Sequence, residues 1–133
     1  MGRARILLAD DQPEILSSVA RLLEPEFDIV GAVSNGQSVI EAVPRLNPDL
    51  LVLDISMPVL SGLEVAARLQ GSVPKLKVIF LTVHDDPDFI EAAFTAGASG
   101  YVFKIRLASH LLLAVREVLA GRPFVSNLNG HQS

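Results

Sequence analysis

The sequence contains no cysteine among its 133 residues, which excludes a disulfide scaffold, a zinc ribbon and thiol catalysis. It also has no apolar run long enough to cross a membrane. The short apolar stretch near the N-terminus ends at Asp10 and Asp11, which is not the pattern of a signal peptide. The formal net charge is only −4, so charge gives no reason to expect direct nucleic-acid binding. We therefore expect a soluble, cytoplasmic chain with no membrane contacts.

Hydrophobic residues make up 50% of the sequence, enough for a packed core, and the length suits one domain. Five short apolar runs recur along it, at residues 6–9, 27–33, 50–53, 78–81 and 101–103. Four of these runs are continuous, which is typical of strands covered on both faces of a parallel sheet. The second run alternates partly with polar residues, which suits an edge strand.

Segments with helical spacing lie between the apolar runs, and several carry signals for helix ends. Pro13 and Pro87 stand where a first helical residue is expected. Ser61 and Glu64 have the spacing of a capping box. Three glycines mark expected helix ends: Gly71, Gly97 and Gly121. The alternation of strands and helices predicts a doubly wound α/β fold with a parallel sheet.

The first, third, fourth and fifth apolar runs are each followed directly by polar residues with acidic, hydroxyl or amino groups. They are Asp10 and Asp11, then Asp54, then Thr82, then Lys104. The carboxyl ends of parallel strands share one edge of the sheet, where ligands bind. Three ionised carboxylates that lie close together require a cation, and oxygen ligands without histidine or cysteine favour Mg²⁺. A hydroxyl and an ammonium beside them suit phosphoryl oxygens.

In this order, and with Met57-Pro58 and Gly62 after Asp54, these residues resemble the receiver domain of bacterial two-component response regulators. The resemblance covers residues 4–120. It implies a flavodoxin-like domain with a single five-stranded parallel sheet in the order 2-1-3-4-5 and five helices. Residues 121–133 lose the periodicity, so we expect them to form a C-terminal connector or a frayed end.

The resemblance implies an acceptor and a metal site. Asp54 is the expected phospho-acceptor, whose carboxylate attacks phosphorus to give an acyl phosphate. Asp11, Asp54 and the main-chain carbonyl of Ser56 are the expected Mg²⁺ ligands, and Asp10 is expected to act through water. Asp10 alone would more often be a helix cap, but its acidic neighbours favour the metal role.

The resemblance also implies a phosphoryl-binding switch. Lys104 is expected to pair with the phosphoryl group, and Thr82 to donate its hydroxyl to it after phosphorylation. Tyr101 is the aromatic residue expected to turn inward behind Thr82, although a partly buried edge tyrosine has the same pattern. Ser56 and His84 stand at the two positions where members of the family vary the lifetime of the phosphoryl group.

The function implied is that of a signalling protein and not of an enzyme beyond its own phosphorylation and dephosphorylation. A sensor histidine kinase or a phosphotransfer protein is the expected donor, and an interaction surface is switched. Residues 81–86 and 121–126 resemble regulators of the LuxR/FixJ type, whose second domain binds DNA. We therefore expect transcription control through an output domain that these residues lack, with a homodimer as a further expectation. The alternative is a single-domain regulator that acts by protein–protein contacts without DNA.

Three other classes of protein are alternatives to this one. A Mg²⁺-dependent phosphatase would have Asp-x-Asp-x-Thr where this chain has residues 10–13, Asp-Asp-Gln-Pro. A flavin module would need a phosphate-binding loop there, and two carboxylates would repel phosphate. A receiver-like module that is never phosphorylated also stays open. Val83 keeps it open because its side chain is expected to narrow the path of a phosphoryl group to the site, and so does Ile105 after the lysine. Many family members have proline after the lysine; with Ile105 there, we expect a trans peptide and a weakly capped last helix.

Overall fold

The computed structural model describes residues 2–127, so the expected connector from residue 128 onward lies outside the described residues. Six strands, five α-helices and one short 3-10 helix follow one another within that range. They are β1 (Arg5–Ala9), α1 (Pro13–Leu23), β2 (Asp28–Val33), α2 (Gly36–Leu46), β3 (Leu50–Leu53), α3 (Gly62–Ser72), β4 (Lys77–Thr82), α4 (Pro87–Thr95), β5 (Gly100–Phe103), the 3-10 helix (Lys104–Arg106), α5 (Leu107–Leu119) and β6 (Phe124–Val125). No helix in this part of the chain is long and apolar enough to span a membrane.

All the strands are parallel and form one sheet in the order β2-β1-β3-β4-β5-β6. The flavodoxin-like order 2-1-3-4-5 is confirmed, but the expectation of five strands was wrong. Phe124–Val125 adds a sixth strand beside β5, within the segment expected to be a connector. Two residues are too few to show a strand pattern in a sequence, although the Phe124 side chain is buried.

The inner strands are covered on both faces, as their continuous apolar runs predicted. Leu7 and Leu51 lie in one apolar cluster, with side chains of α2, α3 and α4. Leu8 and Val52 lie in the second cluster, with side chains of α1 and α5. Side chains of consecutive strand residues point to opposite faces, so each inner strand contributes to both clusters. β2 is at one edge of the sheet and is less buried, as its alternating pattern indicated.

The helix starts follow local signals. α1 and α4 begin at Pro13 and Pro87, as predicted. The Ser61 hydroxyl accepts a hydrogen bond from the N–H of Glu64 at 3.3 Å, which caps α3. The reciprocal hydrogen bond of the predicted capping box, from the Ser61 N–H to the Glu64 carboxylate, is replaced. The Glu64 carboxylate instead accepts a hydrogen bond from Arg68 at 2.8 Å.

The helix ends agree with two of the three glycines proposed for them. Gly97 and Gly121 lie just beyond α4 and α5 with φ of 106° and 90°, the left-handed region that favours glycine. Gly71 lies inside α3, which ends at Ser72, so the prediction that Gly71 ends this helix was wrong. α5 begins after Arg106 with no side-chain cap, as expected. Residues 2–127 contain no cis peptide bond, which agrees with a trans peptide at Ile105.

Candidate functional site

The carboxyl ends of β1, β3, β4 and β5 meet at one edge of the sheet. The N–H of Asp54 donates to the carbonyl of Ala9 at 3.0 Å, continuing the pairing of β3 with β1 past the end of both strands. Asp10 and Asp54 are therefore neighbours. Lys104, the first residue after β5, reaches the same place from two strands away.

Three carboxylates form an acidic cluster at this edge. Asp10, Asp11 and Asp54 each offer an oxygen within 4.8 Å of the others. Asp10 and Asp54 are buried, and Asp11 is exposed. Burial raises the pKa of Asp54, and the charge of Asp10 raises it further, against the opposite effect of Lys104. A cation that neutralises the cluster would lower that pKa, and an all-oxygen donor set of this kind suits Mg²⁺.

Lys104 is the cation that the structure places beside these carboxylates. Its Nζ lies 2.8 Å from Asp10 Oδ2 and 3.3 Å from Asp54 Oδ2, and it donates to Gln12 Oε1 at 2.8 Å. The Asp10 contact is an ion pair by distance but lacks hydrogen-bond geometry, so the buried Asp10 Oδ2 accepts no hydrogen bond from the described residues. An oxygen in this condition is available to a metal ion or to metal-bound water.

The second oxygen of Asp10 has a structural role at the same time. Asp10 Oδ1 accepts a hydrogen bond from the N–H of Gln12 at 2.9 Å, in the turn that leads into α1. The helix-cap interpretation of Asp10 was wrong, because Gln12 is the N-cap of α1 and has no side-chain cap; Oδ1 of Asp10 closes a turn before the helix. Sequence reasoning missed Gln12, whose side chain contacts Lys104. Its place directly after the acidic pair is the only signal in the sequence that could have indicated it.

A side-chain contact joins the loop after β3 to the loop after β4, beside Asp54. The N–H of Ser56 donates to Asp54 Oδ1 at 3.3 Å. The Ser56 hydroxyl and His84 Nε2 are 2.9 Å apart, within hydrogen-bond distance. The His84 ring stacks on Phe89, with ring centroids 4.1 Å apart. The two positions expected to tune the phosphoryl lifetime thus contact each other, across the two loops that flank Asp54.

Thr82 and Tyr101 are both fully buried, and both contact the backbone of His84. Thr82 Oγ1 accepts a hydrogen bond from the His84 N–H at 3.2 Å. The Tyr101 hydroxyl donates to the His84 carbonyl at 2.6 Å. Burial raises the pKa of Tyr101, and nearby carboxylates raise it further, so the phenol keeps the proton that it donates. Tyr101 thus lies inward and is bonded to the loop that follows Thr82.

Two aliphatic side chains at this edge are mostly exposed. Val83 is 70% exposed and Ile105 is 83% exposed. Together they line an open cleft that reaches Thr82 and Lys104. The structure thus directs the Val83 side chain largely towards solvent.

Gly62, at the start of α3, packs closely against the backbone of Asp54. Its N–H donates to the carbonyl of Ile55 at 2.7 Å. A β-carbon built on Gly62 would lie 2.1 Å from the Asp54 carbonyl oxygen. The close approach of α3 to the end of β3 therefore requires glycine at this position.

An α/β fold whose parallel sheet has three carboxylates, a threonine and a lysine at its carboxyl edge is typical of a receiver-type signalling domain. The family model of the response regulator receiver domain matches residues 6–116, and the chain belongs to that family. Its homologues are LuxR-family response regulators.

Three relatives illustrate the match. The chain is 34% identical over 125 residues to the nitrate/nitrite response regulator protein NarL of Escherichia coli (strain K12), covering 92% of this chain and 58% of NarL. It is 34% identical over 126 residues to the transcriptional regulatory protein DegU of Brevibacillus brevis, covering 93% and 53%. A LuxR-family two-component response regulator from Aurantimonas sp. SI85-9A1 superposes with a TM-score of 0.88 at 30% identity, covering 92% and 89%. The chain thus spans little more than half the length of NarL and of DegU.

Proposed function

We propose that the chain accepts a phosphoryl group on Asp54 from a sensor histidine kinase or a phosphotransfer protein, in a Mg²⁺-dependent reaction. Phosphorylation of Asp54 then switches an interaction surface, which controls transcription through an output domain. The observation that supports this most is that three charged groups surround the Asp54 carboxylate. Lys104 Nζ lies 3.3 Å from it, and two further carboxylates lie beside it. An isolated structural aspartate would have no need of such a set.

The transfer forms a bond between an Asp54 carboxylate oxygen and phosphorus and breaks the phosphorus–nitrogen bond of a phosphohistidine. The leaving imidazole takes up a proton. Lys104 exchanges its contact with Asp54 for the phosphoryl oxygens and offsets their charge. Asp11, Asp54 and the main-chain carbonyl of Ser56 would hold Mg²⁺, with Asp10 acting through water. The ion, when bound, supplies charge neutralisation for the carboxylates and the phosphoryl oxygens.

Thr82 and Tyr101 form the proposed switch. A phosphoryl group adds about 1.5–2 negative charges and strong acceptor oxygens at Asp54. Thr82 Oγ1 accepts from the His84 N–H, and its own proton is the donor for a phosphoryl oxygen. The Tyr101 hydroxyl bonds the His84 carbonyl, so a shift of that loop changes the environment of Tyr101. Ser56 and His84, in contact over Asp54, are the proposed determinants of how fast water removes the phosphoryl group.

The proposed output surface consists of α4, β5 and α5, and a homodimer through this surface or through α1 and α5 is part of the proposal. Residues 4–120 are proposed as the receiver and the residues that follow as the connection to an output domain. The relative DegU, named as a transcriptional regulatory protein, supports this assignment, since the match covers only 53% of its length. Contact with DNA is assigned to the output domain.

The experiment is labelling with acetyl phosphate as the phosphodonor, with Mg²⁺ or with EDTA. The wild-type chain is expected to incorporate phosphate that hydroxylamine removes, and EDTA is expected to prevent this. Asp54→Asn should incorporate none, because the amide is not a nucleophile for phosphorus. Asp85→Asn is the matched control, since it removes the same charge from an exposed carboxylate. The proposal fails if the wild type takes up no phosphate or if Asp54→Asn is labelled equally.

A further inference from the structure

The sixth strand is attached to β5 by more than its backbone. Residues 124–126 are called the clasp here. The N–H of Ser126 donates to the Tyr101 carbonyl at 2.8 Å, continuing the parallel ladder. The next donor of β5, the buried N–H of Phe103, then meets the Ser126 hydroxyl at 3.2 Å. In a continuing ladder this N–H would reach a backbone carbonyl, so the hydroxyl takes that place and ends the pairing.

The Ser126 hydroxyl also contacts a buried imidazole of α5. Its Oγ lies 2.9 Å from His110 Nδ1, and both side chains are buried. The hydroxyl has one proton and two lone pairs, so while it accepts from Phe103 it also forms a hydrogen bond with His110 Nδ1, whose direction follows the tautomer of His110. Burial, and then the charge of Arg106, lowers the pKa of His110, which favours the neutral imidazole. The Phe124 ring packs edge-on against the imidazole, with centroids 5.7 Å apart.

The strand that binds the clasp is also the strand of the proposed switch. β5 has four residues, and the clasp contacts the backbone of Tyr101 and Phe103. Tyr101 bonds the loop that follows Thr82, and Lys104, adjacent to Phe103, contacts Asp54. A displacement of β5 therefore changes the clasp and the phosphorylation site together.

We propose that the clasp is an edge strand whose attachment depends on the state of Asp54, and that Ser126 and His110 are the positioning residues that attach it. This rests on the proposed function. A strand of two residues at the edge of a sheet belongs to the least stable parts of a fold, so a small change in β5 is enough to alter its attachment. Because the coupling of binding free energies between two sites is reciprocal, loosening the clasp must also alter the affinity of the Asp54 site for a phosphoryl mimic.

The first experiment measures the attachment alone, by amide hydrogen exchange followed by NMR. Ser126→Ala removes the acceptor of the Phe103 N–H and the hydrogen-bond partner of His110, and this loss of buried hydrogen bonds predicts at least about tenfold faster exchange at the Phe103 and Phe124 amides. Ser126→Thr keeps a hydroxyl and is expected to restore slow exchange. Ser17→Ala, at an exposed serine of α1, is the control. Wild-type exchange in Ser126→Ala would overturn the assignment of Ser126.

The second experiment measures the coupling. Wild-type protein with Mg²⁺ is compared with and without beryllofluoride, a phosphoryl mimic, and clasp amide exchange is expected to change about fivefold or more. The beryllofluoride affinity of Ser126→Ala is expected to differ from that of the wild type, whereas Ser17→Ala matches the wild type. Unchanged clasp exchange in protein that acetyl phosphate labels overturns the coupling and leaves the proposed function intact. Failure of the wild type to be labelled overturns both, while the Ser126→Ala exchange still reports the attachment.

Discussion

Replacing Gly62 by alanine tests the packing that positions the phospho-acceptor. The added β-carbon would lie 2.1 Å from the carbonyl oxygen of Asp54 and 2.9 Å from the Cα of Ile55. Both neighbours are backbone atoms, which cannot rotate away as a side chain can. Either the start of α3 or the end of β3 must move by at least about 1.3 Å, because an ordinary van der Waals separation begins at 3.4 Å.

The magnitude follows from two opposing contributions. Overpacking against rigid surroundings costs about 1–3 kcal/mol, and a contact with backbone favours the upper end of that range. Alanine in place of glycine in a helix contributes about 1 kcal/mol in the opposite direction. The expected net effect of Gly62→Ala is therefore a loss of about 2 kcal/mol in the free energy of unfolding. Gly71→Ala is the matched control in the same helix, since its β-carbon meets nothing within 4 Å. It should stabilise the fold by about 0.5–1 kcal/mol.

Urea unfolding of the two variants and the wild type measures this difference. Labelling by acetyl phosphate is the second readout, because a displaced Asp54 backbone moves the carboxylate relative to Lys104 and should slow incorporation. A Gly62→Ala variant as stable as Gly71→Ala would refute the reasoning, since the contact would then be relieved without cost.

Three further outcomes are expected. Val59 is 74% exposed with φ of 73°, so Val59→Gly should relieve about 1–2 kcal/mol of strain, offset by about 0.4–1 kcal/mol of unfolded-chain entropy, and raise the urea midpoint. Tyr101→Phe leaves the His84 carbonyl without its phenol donor and should lower the free energy of unfolding by about 1 kcal/mol, measured the same way. The pKa of His110 is lower folded than unfolded, so its contribution to stability is present above the unfolded pKa of about 6.5 and is lost as pH falls below it. Urea titrations between about pH 8 and 5 should therefore show a shallower acid decline for His110→Gln than for the wild type, and equal slopes would contradict the neutral His110.

The inner sheet and the acidic cluster could be predicted because each depends on local sequence. Continuous apolar runs specify strands covered on both faces, and the residue after each run must lie at the carboxyl edge. Asp10, Asp54 and Lys104 were found for this reason, and the structure brings them together. The start of α4 was likewise predictable, because Pro87 fixes φ at a first helical position.

Features that depend on contacts between distant residues could not be predicted. Gln12 reaches Lys104 across 92 positions of sequence, and no local pattern encodes that contact. The Glu64 carboxylate had two candidate partners, its own helix end and Arg68, and only the structure shows that the second prevails. β6 exists because β5 offers an unpaired edge and His110 a partner for Ser126, and neither condition is visible in a two-residue strand.

The clasp also bears on how this protein behaves when it is concentrated. An uncovered β5 would present a row of unpaired N–H and C=O groups, a template on which another chain can add a strand. Phe124–Val125 occupies that row but is only two residues long, and Pro123 before it has no N–H to offer. The edge that remains is too short to recruit a neighbour. Loss of the clasp would therefore leave β5 as an aggregation hazard, with strands of separate molecules competing for its free edge.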